Sequence, residues 1–389
     1  MKARALLVAV ALLAAAQGCR RHRGGARRAR DPRVEYATGC VYPRYVTAPS
    51  AIVATADEGE VFEVATAAVG ALRMVAWSTA RGVTVAREGS APVRVTGPTA
   101  REGFALAATG QRFVLAWLDG ASSLQLASMD ASGAAEAWPR VARDARQPVL
   151  AATRDGALLA WAEGGADHAA VRALRLDARG RAMGEPWVIA TGAVDGLALA
   201  STGLRYVAAW RSGGVSIMAR AVPSSGEVSG PAFEVVPAVG ALAVGPPAVA
   251  WGDTRLAVAW SDRRNGDLSL QVTTVDLAGR RVADPQRLSA RFAPGARASL
   301  AWDGAAFGAA WWEPVGGGSP RAYMALVDRT GRRIGTPMRV GADDDTSLTV
   351  PVIAWQRPEY FLAAVRAGAS VEARRTGPRG CDMAPAPGP

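Results

Sequence analysis

Apolar and polar positions recur in this chain on a long period. A short apolar stretch, a polar two-residue turn, a second apolar stretch closing on Ala-Trp and a third closing on Asp-x-x-Gly repeat along most of its length. The Ala-Trp copies end at Trp77, Trp117, Trp161, Trp210, Trp260 and Trp311, and a degenerate seventh aligns at Val365. The intervals are 40, 44, 49, 50, 51 and 54 residues. Several strand-length segments repeating at this period predict a β-propeller with one blade per repeat.

The second segment of each unit, such as Phe113-Val-Leu-Ala-Trp117 or Leu256-Ala-Val-Ala-Trp260, has no polar position inside it. A strand exposed on one face would alternate, so these segments predict strands covered on both faces. Stacked blades provide that cover. The alanines let neighbouring blades approach, and the Trp fills the gap where they splay. Each Trp therefore reads as core packing.

Turns punctuate the unit. Thr109-Gly110, Asp155-Gly156, Thr202-Gly203 and Asp303-Gly304 suit tight hairpins. Asp130 to Gly133, Asp177 to Gly180, Asp276 to Gly279 and Asp328 to Gly331 read as turns opened by Asp with a left-handed Gly. A Pro-led outer strand follows, beginning at Pro92, Pro139, Pro186, Pro231, Pro285 and Pro337.

The seventh repeat has no such strand after it. The missing phrase is Tyr42-Pro-Arg-Tyr-Val-Thr47, at the other end. The expected architecture is all-β: seven four-stranded antiparallel blades spanning 40–382, closed by an N-terminal strand donated to the last blade, with 383–389 a tail. Cys40 precedes the donated strand and Cys381 follows the last third strand, so a Cys40–Cys381 disulfide is expected to rejoin the cut. Such a link would contribute about 5–6 kcal/mol in the chain-entropy model.

Residues 1–18 carry Lys2 and Arg4, then an apolar run from Ala5 to Ala16 too short to span a bilayer, as in a signal peptide. Ala16-Gln-Gly-Cys19 resembles the bacterial lipobox, with Ala where Leu is usual. That resemblance implies a diacylated Cys19 as membrane anchor, and Arg20 after it implies outer-membrane sorting. Residues 19–39 then read as an Arg-rich disordered tether. The formal net charge of +11 falls to +3 once Lys2, Arg4 and residues 19–33, with seven Arg and one Asp, are set aside. The basic character thus belongs to the tether and suits anionic headgroups. No nucleic-acid-binding motif is present.

Catalytic signals are sparse. The two histidines are His22 in the tether and His168 in a loop, and there is no nucleophile elbow, phosphate loop or dinucleotide fingerprint. No cofactor, metal or catalytic residue is expected. One constellation stands out: acids two residues past the Trp at Asp119, Glu163, Asp262 and Glu313, with Arg211, Arg263 and Arg264 beside them. Asp343, Asp344 and Asp345 lie in an interblade loop predicted on the same face. These form a candidate ligand face, although acids after apolar strands also serve as ordinary turn chemistry.

The Ala-Trp strand and Asp-x-x-Gly repeat resembles the secreted and lipid-anchored bacterial β-propeller repeat proteins, with WD40-like or PQQ-like architecture. The resemblance implies a monomeric envelope lipoprotein whose propeller face binds a protein or surface polymer. The alternative is a carbohydrate-active hydrolase or lyase using the acids of that face.

Overall fold

The computed structural model describes residues 42–47, 51–54 and 59–382, apart from 111, 131, 166, 226–229, 240–241, 265, 290, 293–295, 316–317, 341–347, 357–358 and 367–369. It is a seven-bladed β-propeller. Six sheets of four antiparallel strands run in chain order through blades 1 to 6, at 63–94, 99–137, 145–192, 194–236, 248–289 and 299–340. Blade 7 is composite. Leu348–Gln356, Glu359–Arg366 and Ser370–Asp382 are joined on the outside by Tyr42–Thr47. Ala51–Ala54 also pairs with Ser370–Asp382. The first strands of neighbouring blades touch in a closed cycle, blade 7 meeting blade 1, so the ring has no open edge between its ends.

The core is divided. Seven apolar clusters each occupy one interface between adjacent blades. Second strands are buried almost throughout, as in Gly156–Glu163 and Arg255–Asp262, because both faces are covered. Trp77, Trp161, Trp210, Trp260 and Trp311 are at most 4% exposed. Each plugs the interface with the preceding blade; Trp161, for instance, packs among Val114, Leu118 and Leu126 of blade 2. Burying one such side chain contributes several kcal/mol.

Details of the repeat differ from the sequence reading: the outer strands of blades 3 and 6 start at Ala182 and Arg333, ahead of Pro186 and Pro337, and blades 7 and 2 depart further. In blade 7, Tyr360 pairs with Trp355 as Phe307 pairs with Trp302 in blade 6, and both pairs are close aromatic contacts. Counting four residues on puts Ala364, not Val365, at the Trp position. Ala364 accordingly faces the blade 6/7 interface, and Val365 the blade 7/1 interface. In blade 2 the outer strand is Ala135–Ala137, ahead of Pro139 rather than after it. Proline has no N–H to give the ladder, so the chain continues with single bonds from Trp138 N to Leu126 O (2.9 Å) and Val141 N to Leu124 O (2.8 Å).

The Asp-x-x-Gly turns fold as expected and do more than turn the chain. In all four, Asp Oδ1 accepts the backbone N–H groups two and four residues on, at 2.8–3.1 Å. Each Gly has φ of +78° to +90°. A Cβ on Gly180 would meet Val114 Cγ2 at 3.0 Å, so the turn of blade 3 sits directly on blade 2. Thr109 of blade 2 donates to Ala178 O in that turn (2.7 Å), and Thr274 of blade 5 donates to Arg329 O in the turn of blade 6 (3.1 Å). Gly156 is needed for space rather than for φ: a Cβ there would lie 2.3 Å from Leu176 O.

Candidate functional site

Strands run antiparallel, so the loops after the second strands and the interblade links emerge on one side of the ring, and the Asp-x-x-Gly turns on the other. The predicted acids lie on the first side. Side chains two apart on a strand share a face. An acid two residues past Trp is thus aimed back along its own strand at the indole. Trp161 Nε1 donates to Glu163 (2.8 Å), Trp260 Nε1 to Asp262 (2.8 Å) and Trp311 Nε1 to Glu313 (2.9 Å). A buried Trp N–H needs an acceptor, and the sequence supplies it within the same strand.

Arginines complete two of these brackets. Arg172, cross-strand from Trp161, donates to the other oxygen of Glu163. Arg264 Nε lies 2.7 Å from Asp262, whose side chain is only 1% exposed. Asp119 works differently. It accepts from the N–H groups of Ala121 and Ser123 (both 2.9 Å) and from Gln125 Nε2 (3.0 Å), closing its loop. Burial pushes its carboxyl up, but these bonds and the charge of Arg140 outweigh that and hold it below the ordinary value. Arg211 forms a bidentate pair with Asp195, which raises its already high pKa, and also donates to Val244 O (2.9 Å).

The face therefore brings each acid to its own blade's Trp or loop. Arg263 and His168 are exposed on it. Asp343, Asp344 and Asp345 lie outside the described residues, as do Cys19 and Cys40. Among the described residues, no three His, Cys, Asp or Glu side chains gather as a metal site would require. The register places Cys381 opposite Pro43, three residues along the chain from Cys40.

Two features escaped the sequence reading. One is a buried ion pair in blade 7: Glu372, 2% exposed, is bonded to Arg374, 8% exposed, and lies 3.8 Å from Arg366. The other is a cleft of about 390 Å³ at the rim between blades 2 and 3, where Arg181 lies over the ring of Trp138. The first joins two residues on one strand, with Arg366 added from the neighbouring strand, and the second follows from the meeting of two blades; a repeat pattern reports neither.

No family model matches the sequence, and no curated protein does. Solved structures do match. The BP39L lectin of Burkholderia pseudomallei superposes with a TM-score of 0.60 at 12% identity, covering 88% of this chain and 100% of the lectin. A polysaccharide lyase, the PL25 ulvan lyase, gives 0.60 at 9% identity, over 87% and 97%. The WD40 domain of Toxoplasma gondii coronin gives 0.53 at 10% identity, over 89% and 90%. The chain spans about half the length of a prolyl endopeptidase it also matches, covering 51% of it at a TM-score of 0.50. At these identities the likeness is one of fold: this chain is built as a propeller of the kind that lectins, lyases and WD40 domains share.

Proposed function

We propose that the chain is a non-catalytic binding module of the bacterial cell envelope. In this reading residues 1–18 direct export, a lipidated Cys19 anchors the protein to the outer membrane, and the Arg-rich segment to residue 39 gives reach. The ring then presents its loop face to a protein or surface polymer. The observation that carries the non-catalytic part is the internal use of the acids. Glu163, Asp262 and Glu313 each accept an indole N–H; Glu163 also accepts from Arg172, and Asp262 is ion-paired with Arg264. Acid/base cleavage of a glycan needs two carboxylates free to face the substrate. The same loops expose Arg263 and His168 beside the acids Asp167 and Asp267, and of these Arg263 is a group suited to recognition rather than proton transfer. A Cys40–Cys381 bridge would fix the donated strand in place, and thiol counting on purified protein with and without reductant tests it.

The test of function is crosslinking in intact cells, detergent extraction and affinity purification, beside Cys19→Ala and Arg263→Glu variants. A stoichiometric partner lost in either variant supports the reading. Turnover of a polysaccharide that Asp262→Asn or Glu313→Gln abolishes, with folding intact, would replace it with the hydrolase or lyase.

A further inference from the structure

The outer end of the blade 2/3 interface is built unlike its counterpart at blades 4 and 5. There, Phe233 packs onto Gly279, where a Cβ would meet its ring at 3.0 Å, and Arg280 folds back onto its own Asp276 at 2.8 Å. The register position of Phe233 is held in blade 2 by Trp138, each lying against the third-strand residue that pairs with the Ala before Trp. The turn position of Arg280 is held in blade 3 by Arg181, four residues past Asp177. Yet Arg181 has no ion pair with Asp177 among the described residues. Its guanidinium stands 5.1 Å from the centroid of Trp138 and 3.6 Å from Glu136, which Arg112 also approaches, at 3.9 Å. A cleft of about 390 Å³ is left open.

Its lining is selective. Leu126 and Leu174 form a buried apolar floor, and Pro139 and Pro186 stand on the walls. The charged residues on it are Arg140 and Arg181, with no carboxylate among the lining groups. Asp119 lies close enough to Arg140 to feel its charge, but its carboxylate is occupied by its own loop. Trp161, Trp260 and Trp311 have acceptors for their indole N–H, whereas those of Trp138 and of Trp187, at the same register position in blade 3, are buried with none. An orphan donor calls for a ligand or water acceptor.

The geometry points to this cleft as a binding site for an acidic saccharide, a sugar carrying a carboxylate or sulfate. A guanidinium laid on an aromatic face is oriented for bidentate capture of a planar or tetrahedral anion. Arg140 supplies the second donor, and the Leu and Pro surfaces suit the apolar face of a sugar ring. The volume is that of a small-ligand site. A peptide fits less well, because extended peptides rely on main-chain bonds and proline walls have no N–H to give. The cleft reaches the edge of the loop face at Arg140 but is not lined by Arg263, so its occupancy is read independently of that residue.

The test is titration calorimetry of the full-length protein in detergent with trigalacturonic acid and a sulfated tetrasaccharide, beside neutral maltotriose and a hexaglutamate peptide. One acidic sugar is expected to bind, maltotriose and hexaglutamate at least tenfold more weakly. Arg181→Gln and Arg140→Gln should each weaken the acidic sugar about tenfold or more. Arg280→Gln, at the matching turn of blade 5, and Arg263→Glu, on the loop face, should leave it unchanged. Thermal melting checks folding, and Arg140→Gln, at an exposed position, carries the test if Arg181→Gln unfolds. Absence of binding by both acidic sugars, affinity unaltered in both cleft variants, or equal binding of hexaglutamate would each overturn the assignment.

Discussion

Blades 3 and 7 solve one packing problem with opposite charges. In blade 3, Trp161 plugs the interface, Glu163 two residues on accepts its N–H, and Arg172 across the strand closes the pair. In blade 7 the same three positions are Ala364, Arg366 and Glu372. The Trp is gone, and the acid and the arginine have exchanged strands. Glu372 now occupies buried space and leans on Arg374 as well, but one of its oxygens and Nε of Arg374 have no hydrogen bond. Blade 7 is also where the chain ends meet, and where Val350 holds a φ of +48°, a costly conformation for a β-branched residue. In the regular blade the Trp, the acid and the arginine at these three positions satisfy one another. The closing blade depends on a buried ion pair and on a strand from elsewhere in the chain.

The largest break should come from that strand. Starting the folded region after Thr47 would leave Ser370–Asp382 without its outer partner along Thr376–Asp382. Opening the ring this way should remove most of a domain's stability, on the order of 5 kcal/mol or more, and replace one cooperative melt by a broad one. The outer strand of blade 1 is only Val93–Arg94, and replacing those two residues by Gly-Ser should cost less than about 1 kcal/mol. Equal effects in calorimetry would show that closure has no special weight.

Next is the ion pair. Glu372→Leu leaves Arg374 buried and unpaired and should cost about 3–5 kcal/mol, while Glu372→Leu with Arg374→Leu should recover most of the loss. Denaturant titration of single and double variants reads this directly. A double variant no better than the single would mean that the pair does not set the stability of this interface. In the regular blades a smaller change is expected: Trp311→Phe keeps one six-membered ring but removes the N–H to Glu313 and part of the buried volume, costing about 1–3 kcal/mol.

The smallest effect is on pH. The Ser132 hydroxyl, with the backbone N–H groups of Ser132 and Ala134, holds the carboxyl of Asp130 below its ordinary value. At Asp276 burial pushes up, but the bonds from Arg280 and Ala278 prevail and the pKa is again lowered. A depressed folded value means that the stability is present above the unfolded aspartate pKa, about 3.9, and is lost as pH falls through the folded one. Asp130→Asn and Asp276→Asn should therefore lower stability modestly at pH 7, where the carboxylates are ionised, and flatten the further loss seen below about pH 4. Blade 7, closed by chain ends instead of such a turn, should not share this dependence.

Blade number, the buried Trp positions, the Asp-x-x-Gly turns and the donated strand Tyr42–Thr47 were all legible from the chain, because each is written by local chemistry repeated several times. Period counts blades, an unbroken apolar run means cover on both faces, and Asp followed by a left-handed Gly means one turn type. What the acids past each Trp do was decided by tertiary structure. Sequence places Glu163, Asp262 and Glu313 on one side of the ring, but whether a carboxylate faces solvent or an indole depends on the depth at which its Trp is buried. The same holds for Ala364, identified only by its cross-strand partner, and for Arg181, which shares a turn with Arg280 in sequence and leaves it in space. A repeat determines what every blade has in common; the exceptions, including the charge exchange of blade 7 and the cleft beside Trp138, arise where two different blades meet, through contacts between residues far apart in the chain.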